Sequence, residues 1–328
     1  MKIVIASSIY PPDIGGPAQY AHNLFLVWKK EGYQVKVVSY TWERRLPAWI
    51  KHFFYLIKIM RWGWNADVIL VLDTFLVAVP TMFACVLMRK KYIIRTGGDL
   101  LWEWHVERTG NLILLREFYS KVEQGIAKLN LKEKIIFTLT RLALKNAAMV
   151  VFSTDWQRQI WREPYQLDLS KTAIVENYYG PKSSELSVVG KNFLVAGRNL
   201  KLKNLEILKN LKFDFEIGQW SQEKLREKIK NCYALVVPSI SDISPNIVLQ
   251  AIRHNKPFVL TQENGINHRV GEAGVYIDPL NPEDVREKLE WLSEKNNYNE
   301  QVQKVADFNF QHNYSQIAQE FLNLYENS

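Results

Sequence analysis

Residues 2–25 read "KIVIASSIYPPDIGGPAQYAHNLF". The run "KIVIAS" at 2–7 is largely apolar and unbroken, which predicts a buried strand. After the loop, apolar residues recur at helical spacing from Ala18 to Trp28, and "YQVKVVSY" at 33–40 predicts a second strand. Strand, helix and strand form a βαβ unit, with the loop at the carboxyl end of its first strand. Open parallel sheets bind their ligands at that edge.

The composition of this loop favours an anion site. Gly15 and Gly16 lack a Cβ, so the backbone can take positive φ and a ligand can approach closely. Pro17 suits the first helical position, and the free N–H groups of a helix start attract phosphate. A tight connection without a ligand is the alternative, because glycine pairs are common in turns. These residues alone leave both interpretations open.

The same alternation of strands and helices continues along the chain and predicts an α/β protein with parallel sheets. A length of 328 residues indicates roughly two domains, and the segment 172–185 holds a strand followed by a Pro/Gly/Ser linker. Only about sixteen residues separate the first two strands of the second half, so we expect a shortened second domain. Beyond the opening βαβ unit, strands are predicted at 67–73, 92–95, 148–153, 172 onward, 193–196, 213–217, 234–237, 257–260 and 275–277.

Composition narrows the function classes. Residues 1–180 hold 24 Lys and Arg against 15 Asp and Glu, whereas residues 181–328 hold 18 against 19, so the positive charge predicts an anionic partner for the first half. The two cysteines lack metal-ligand spacing, which indicates a reducing compartment. The fifteen-residue apolar stretch 74–88 is too short to span a bilayer and predicts a buried helix. Dinucleotide-binding, P-loop and nucleophile-elbow motifs are absent from the sequence.

The stretch "VVPSISDISPNIVLQAIRHNKPFVL" at 236–260 indicates a site in the second half. A strand leads into a loop, where Ser244 is a good helix N-cap and Pro245 a good first helical residue. Gln250 lies inside the apolar helix that follows, and a buried amide needs hydrogen-bond partners. Asp242 lies in the loop eight positions earlier. Alternatively, Gln250 bonds to a neighbouring loop and Asp242 is a solvated acid.

A second pattern, "VAGRNLKLKNLEIL" at 195–208, places cations after a strand. Gly197 and Arg198 end the strand, and Lys203 precedes a helix. Two cations at the carboxyl edge of a sheet suit a diphosphate, which Arg can bind with two parallel hydrogen bonds. Ordinary surface charge is the alternative, although Lys at a helix start opposes the helix dipole.

Taken together and in order, these segments resemble the family 4 retaining glycosyltransferases, which have the GT-B fold. The resemblance covers nearly the whole chain. It rests on "YPPDIGGPAQYAHNL", "VENYYG", "GRNLKLKN", "SDISPNIVLQAI", "ENGINHRVGEAGVYIDP" and "NYSQIAQEFLNLYE".

The resemblance implies roles for individual residues. It places Arg198 and Lys203 on the donor diphosphate beside the Gly15–Gly16 turn, Asp242 on the donor sugar and Gln250 on the ribose hydroxyls. The family usually shows two glutamates at the last two positions. Gly197, Ser244 and Asn246 complete the implied donor-binding set.

The resemblance also implies an architecture. We expect two Rossmann-like domains whose parallel sheets face each other across a cleft. The implied domains are an acceptor-side domain at 1–180, a nucleotide-sugar-binding domain at 181–311, and a terminal helix at 312–328 that returns to the first domain.

The implied reaction moves a sugar from a nucleotide diphospho-sugar to a glycan or lipid-linked acceptor, with retention, in polysaccharide or glycolipid synthesis. No metal or other cofactor is expected, no nucleic-acid partner is expected, and the predicted location is the cytoplasm. A catalytically inactive protein that binds nucleotide-sugars is the alternative.

Two further features extend this prediction. Asp99, after the strand at 92–95, is a candidate for contact with the acceptor or the transferred sugar, or else a helix N-cap. Residues 44–64 mix Arg44, Arg45, Lys51, Lys58 and Arg61 with Trp49, Phe53, Phe54, Trp62 and Trp64, which suits an anionic membrane surface on the inner face of the membrane. An ordinary amphipathic helix that covers the sheet is the alternative.

Overall fold

The computed structural model describes residues 1–13, 15–125, 128–183 and 190–328. It divides into two compact units, and each contains one parallel sheet. The first unit comprises Met1–Leu101, Tyr119–Glu176 and Asn313–Ser328, and the second comprises Trp102–Phe118 and Asn177–His312.

The first unit contains a six-stranded sheet in the order β2-β1-β3-β4-β5-β6, and every neighbouring pair is parallel. Its central strands are continuous runs of Ile, Val and Leu, which parallel sheets require because both of their faces are covered. The strands are β1 (Lys2–Ala6), β2 (Gln34–Val38), β3 (Val68–Val71), β4 (Ile93–Arg95), β5 (Met149–Phe152) and β6 (Thr172–Ile174).

The second unit contains a five-stranded parallel sheet in the order β11-β10-β9-β7-β8. Alternate residues of its strands enter different core clusters: Leu194 packs on one face, and Phe193 and Val195 pack on the other. The strands are β7 (Phe193–Ala196), β8 (Phe215–Gly218), β9 (Leu235–Val237), β10 (Phe258–Thr261) and β11 (Val275–Ile277).

Within each sheet, helices connect consecutive strands, except between β7 and β8, where two short 3-10 helices, Lys201–Lys203 and Leu205–Leu208, replace an α-helix. The predicted shortening of the second half therefore lies between β7 and β8. The α-helices are α1 (Gly16–Lys30), α2 (Ala48–Gly63), α3 (Ala78–Met88), α4 (Leu100–Thr109), α5 (Leu115–Glu123), α6 (Leu131–Asn146), α7 (Asp155–Arg162), α8 (Gln222–Asn231), α9 (Asn246–Arg253), α10 (Asn267–Val270), α11 (Pro282–Ser293), α12 (Lys295–Asp307) and α13 (Tyr314–Glu326).

Every predicted strand is present, with its ends shifted by at most two residues. The predicted domain boundaries at 180 and 311 stay a prediction, but the compact units differ from them in one segment. Residues 102–118 group with the second unit, although the sequence pattern assigned them to the first half. The pattern of strands and helices gave no signal for this, because hydrophobic periodicity does not tell which core an excursion joins.

The apolar stretch 74–88 is only partly the buried helix that its composition predicted. α3 buries most of its residues, but Phe83, Val86 and Leu87 are exposed. α2 packs against α3 and also exposes large apolar side chains, among them Trp49 and Phe53. Within the described part of the chain, no helix combines the length and the apolarity that crossing a membrane requires.

Candidate active site

The order of strands in the second unit identifies where a ligand would enter. β7 is followed in sequence by β8 on one side, and the chain then returns to place β9 on the other side. A crevice opens outside the carboxyl ends of the strands at such a change of direction, and open α/β sheets bind ligands there. The residues that follow β7 and β9 therefore mark the candidate site.

Two of the predicted cations lie at this point. Gly197, Arg198 and Lys203 line a small cavity together with Ser239 and Ile247. The Arg198 side chain is exposed, and it makes no ion pair with any residue that the structure describes. Lys203 Nζ lies 3.2 Å from Asp242 Oδ2 and 3.4 Å from Ser239 Oγ. The structure thus brings the predicted diphosphate-binding pair together.

The turn that carries Lys203 is held by the residue that follows it. Asn204 is buried and has a left-handed backbone conformation, with φ of 54°. Its Nδ2 donates to the carbonyl oxygens of Pro238 at 3.2 Å and Pro279 at 2.6 Å. Asn tolerates this conformation better than most residues, so the turn can close onto the ends of β9 and β11. Sequence reasoning did not single out Asn204.

The loop after β9 presents Asp242 beside Lys203. Asp242 N donates to Glu263 O at 2.9 Å, and Gly265 N donates to Asp242 O at 3.2 Å. These bonds fix the loop against the chain that follows β10. Because Asp242 and Lys203 neutralise each other at 3.2 Å, the site carries its net positive charge on Arg198.

Gln250 faces inward from α9 with one polar atom unused. Its Oε1 is buried and has no hydrogen-bond partner among the described residues. Buried carbonyl oxygens are almost always paired, so this atom is available to a ligand that donates a hydrogen bond. The hypothesis that Gln250 bonds to a neighbouring loop therefore fails for Oε1.

The start of α9 differs from its prediction. The helix begins at Asn246, Pro245 occupies the N-cap position, and no side chain caps the helix. Ser244 Oγ instead accepts a hydrogen bond from Asn177 Nδ2 at 2.8 Å, and the same amide donates to Asn246 Oδ1 at 3.1 Å. Asn177, the first residue of the longer segment of the second unit, thus holds Ser244 and Asn246. The predicted contact of Ser244 and Asn246 with a donor stays a prediction.

The glycine pair of the first unit also departs from its prediction. Gly15 has an extended backbone, with φ of 160°, and Gly16 is the first residue of α1. Neither adopts the left-handed conformation that the glycine pair suggested. An added Cβ at Gly15 would lie 2.9 Å from the Ile9 side chain, so close packing of the loop is one reason for glycine at this position.

Asp99 is buried in the first unit. Its Oδ2 accepts hydrogen bonds from Tyr119 Oη at 2.7 Å and from Trp161 Nε1 at 2.8 Å. Tyr119 Oη also lies 2.9 Å from Tyr165 Oη, and burial raises the pKa of both tyrosines well above their ordinary value. A contact between Asp99 and a sugar stays a prediction.

Glu263 is an acid that sequence reasoning missed. It is buried in the loop after β10, and its Oε2 accepts a hydrogen bond from Arg116 Nε at 2.9 Å. Burial raises the pKa of the Glu263 carboxyl, while the nearby Arg116 guanidinium opposes that rise. The available signal was its position, because it follows a parallel strand at the same edge as Asp242.

The residues that the structure describes contain no group of three or more His, Cys, Asp or Glu side chains that could hold a metal ion. The expectation that the reaction needs no cofactor stays a prediction.

Comparison with known proteins finds one family to which the second half of the chain is similar. Residues 180–295 match the model of the glycosyl transferases group 1 family. No curated protein is significantly similar to this chain in sequence.

Solved structures with the same fold are numerous. Sucrose-phosphate synthase from Thermosynechococcus elongatus matches with a TM-score of 0.72 at 12% identity, over 99% of this chain and 98% of that one. WaaG, a glycosyltransferase of lipopolysaccharide biosynthesis, matches with a TM-score of 0.68 at 14% identity, over 98% and 99%. HepE from Anabaena, solved in complex with UDP, matches with a TM-score of 0.67 at 11% identity, over the full length of both chains.

The matched residues 180–295 contain the whole cavity of Arg198, Lys203 and Ser239, and the fold of both units is GT-B. The chain therefore has the GT-B fold, and its second half is similar to the group 1 glycosyltransferases.

Proposed function

We propose that this glycosyltransferase moves a sugar from a nucleotide diphospho-sugar to a glycan or lipid-linked acceptor, with retention of the anomeric configuration, in polysaccharide or glycolipid synthesis. The observation that carries the proposal is the position of Arg198 and Lys203 in one cavity at the crevice between β7 and β9. A diphosphate is the common ligand chemistry for two cations at such an edge.

The proposed reaction needs stabilisation of the leaving diphosphate above all. Negative charge grows on the diphosphate as the glycosidic bond breaks, and positioned donors lower the energy of that transition state. Arg198 has a guanidinium without an ion-pair partner among the described residues, so it can bind two phosphate oxygens at once. Lys203 is already oriented by Ser239 and Asp242, and its ammonium can donate a hydrogen bond to a phosphate oxygen.

Gln250 and Asp242 suit hydroxyl groups of the donor. Gln250 Oε1 can accept a hydrogen bond from a ribose hydroxyl, which would remove the cost of leaving this buried oxygen unpaired. Asp242 keeps one carboxylate oxygen beyond the Lys203 contact and can accept from a sugar hydroxyl.

A binding panel tests the donor assignment. Thermal shift and calorimetry with UDP, ADP and GDP and their sugar conjugates should identify one base, and Arg198→Ala should abolish that response. Lys209→Ala is the matched control, because Lys209 pairs with Glu206 on the same stretch of chain outside the cavity. A wild-type protein that responds to none of these ligands would contradict the donor site.

Transfer of isotope-labelled sugar, followed by NMR of the anomeric proton of the product, tests activity and retention. Binding without transfer to any glycan or lipid-linked acceptor would favour the inactive nucleotide-sugar-binding protein. An inverted product would contradict retention alone.

We further propose that the exposed face of α2 and α3 meets an anionic membrane on its cytoplasmic side. Trp49 is 75% exposed, Phe53 and Leu87 are exposed as well, and Lys51 and Arg61 lie on the same helix pair. Exposed aromatic and aliphatic groups beside cations suit the headgroup boundary of anionic lipid.

Two of the predicted cations are already neutralised and contribute less to this surface. Arg44 binds both carboxylate oxygens of Asp13, and Lys58 pairs with the buried Glu43. Burial opposes ionisation of Glu43, but the hydrogen bonds from Lys58 and Thr41 outweigh it and lower the Glu43 pKa to about 2. We therefore expect the other three cations of this stretch, Arg45, Lys51 and Arg61, to supply most of the attraction to anionic lipid.

Flotation with vesicles tests the membrane proposal. The protein should float with phosphatidylglycerol-containing vesicles and not with pure phosphatidylcholine, and Trp49→Ser with Phe53→Ser should release it. Ile135→Ser is the control, because Ile135 is an exposed apolar residue on α6. Flotation that the double variant leaves unchanged would contradict the proposed surface.

A further inference from the structure

Residues 102–118, hereafter the 102–118 segment, join the second unit although the chain enters and leaves the segment from the first. The segment contains the rest of α4, a short connection and the start of α5. It is compact in itself: Trp102 Nε1 donates to Ile113 O at 2.9 Å, and the His105 and Phe118 rings lie 5.0 Å apart. Such internal contacts make it a stable element rather than a loose connection.

One end of the segment contacts the turn that carries Lys203. Glu107 Oε1 accepts a hydrogen bond from Leu202 N at 3.2 Å, and Glu107 O accepts from Lys201 Nζ at 3.1 Å. The first N–H groups of a helix have no partner inside it, and Leu200 at the N-cap supplies no side-chain bond. Glu107 therefore supplies the missing acceptor to the 3-10 helix Lys201–Lys203.

The other end contacts the loop that carries Asp242. Leu115 N donates to Ser241 Oγ at 3.0 Å, directly before Asp242 in the chain. Arg116 Nε donates to Glu263 Oε2 at 2.9 Å, and the backbone carbonyl of Glu263 accepts from Asp242 N at 2.9 Å. Asp242 is thus bounded on two sides by residues that the segment contacts.

We propose that Glu107 and Arg116 are positioning residues of the donor site. Glu107 fixes the turn that presents Lys203 to the diphosphate, and Arg116, through Glu263, fixes the loop that presents Asp242 to the sugar. The inference rests on the proposed function of Lys203 and Asp242. It adds that their geometry depends on a segment from the first half of the chain.

The two ends predict different kinetic defects. Glu107→Leu removes the acceptor for Leu202 N, so it should weaken nucleotide diphosphate binding by about tenfold to 100-fold, as loss of outer orienting partners does elsewhere. Arg116→Ala should lower kcat by a similar factor and change nucleotide diphosphate affinity little, because Asp242 faces the sugar and not the diphosphate in the proposed site.

Conservative variants separate positioning from folding. Glu107→Gln keeps an oxygen acceptor and Arg116→Lys keeps a cation for Glu263, so each should recover most of the loss. Arg226→Ala is the matched control, since among the described residues the Arg226 side chain bonds only to Gln222 O on its own helix. Calorimetry with the nucleotide diphosphate and steady-state transfer kinetics give the split between affinity and kcat.

Amide hydrogen exchange makes the inference independent of any ligand. Exchange should accelerate at 201–204 in Glu107→Leu and at 240–244 in Arg116→Ala, with the other stretch unchanged in each variant. If wild-type protein binds no nucleotide diphosphate, the proposed function fails while exchange still decides this inference. Exchange and kinetics equal to those of Arg226→Ala would overturn it.

Discussion

β1 and β7 are each the first strand of a parallel sheet, and each is flanked by the next two strands of its sheet. The polar groups near their carboxyl ends differ in what they bind. In the first unit the protein itself satisfies the acids: Asp13 binds Arg44, Asp73 accepts from the backbone of Phe75 and Val77, and Asp99 accepts from Tyr119 and Trp161.

At the corresponding edge of the second unit, two polar groups are left without a protein partner in the described part of the chain. Among the described residues, the Arg198 guanidinium has no ion-pair partner and Gln250 Oε1 has no hydrogen-bond partner. Lys203 and Asp242 bind each other through a partly buried contact. The comparison teaches that an edge position alone does not make a site: the acids named in the first unit are paired within the protein, whereas Arg198 and Gln250 Oε1 have no such partner among the described residues.

We expect the largest effect from removing one of the two cations in the cavity. Arg198→Ala and Lys203→Ala should each lower the rate of sugar transfer by about 10²- to 10³-fold, the usual loss when one charge-stabilising donor is removed. Transfer assays with Lys209→Ala as the control provide the measurement. Near-wild-type rates in both variants would break the contrast between the two edges.

Asp99→Ala tests the edge of the first unit, where groups of the protein itself bind the acids. The change leaves the buried Tyr119 hydroxyl and Trp161 indole N–H without their acceptor, so the free energy of unfolding should fall by about 3 kcal/mol. Chemical denaturation measures this loss, and Asp99→Asn, which keeps one acceptor oxygen, should lose less. An Asp99→Asn variant with normal stability but no transfer would instead identify Asp99 as a substrate contact.

Gln250 sharpens the comparison at a single atom. Gln250→Leu removes the unpaired oxygen with little change in size, so nucleotide-sugar affinity should fall by up to about tenfold while stability holds or rises. Gln250→Glu restores the residue usual in the resembled family and should be tolerated or increase transfer. Calorimetry and thermal unfolding check both variants, and a Gln250→Glu protein that is only destabilised would count against the donor assignment.

The smallest effect concerns pH. Burial raises the folded-state pKa of Glu263 above its ordinary value, against the opposing Arg116 charge. The folded state therefore favours the protonated acid, and this contribution to stability is present below the ordinary pKa of the unfolded chain and is lost as pH rises through the folded-state pKa. Glu263→Gln should thus gain stability relative to wild type as the pH rises from the ordinary Glu pKa of about 4 through the folded-state pKa. If the stability of Glu263→Gln relative to wild type instead falls over this range, the prediction is contradicted.

Much of the fold could be predicted from the sequence, because buried parallel strands are short apolar runs that punctuating loops separate. "FLVA" and "VYI" match β7 and β11 without any shift. The membership of residues 102–118 could not be predicted, because it depends on tertiary contacts such as that of Arg116 with Glu263.

The site was predictable where chemistry is local and not where it depends on distant partners. Arg198 and Lys203 line the same cavity because both follow β7 in the chain. The N-cap assigned to Ser244 was wrong, since Asn177, sixty-seven positions away, takes its hydroxyl instead. The space at Gly15 likewise depends on another residue, because a Cβ there would lie 2.9 Å from the Ile9 side chain.

The membership of the 102–118 segment also bears on modularity. Because a GT-B protein has two domains, one domain could be exchanged between enzymes to combine the donor specificity of one with the acceptor specificity of another. A chimaera that took only 177–312 from this chain would leave the Leu202 amide and the Glu263 carboxylate facing a foreign surface. The unit that contains the proposed donor site is therefore discontinuous in sequence, and recombination at a single linker would divide it.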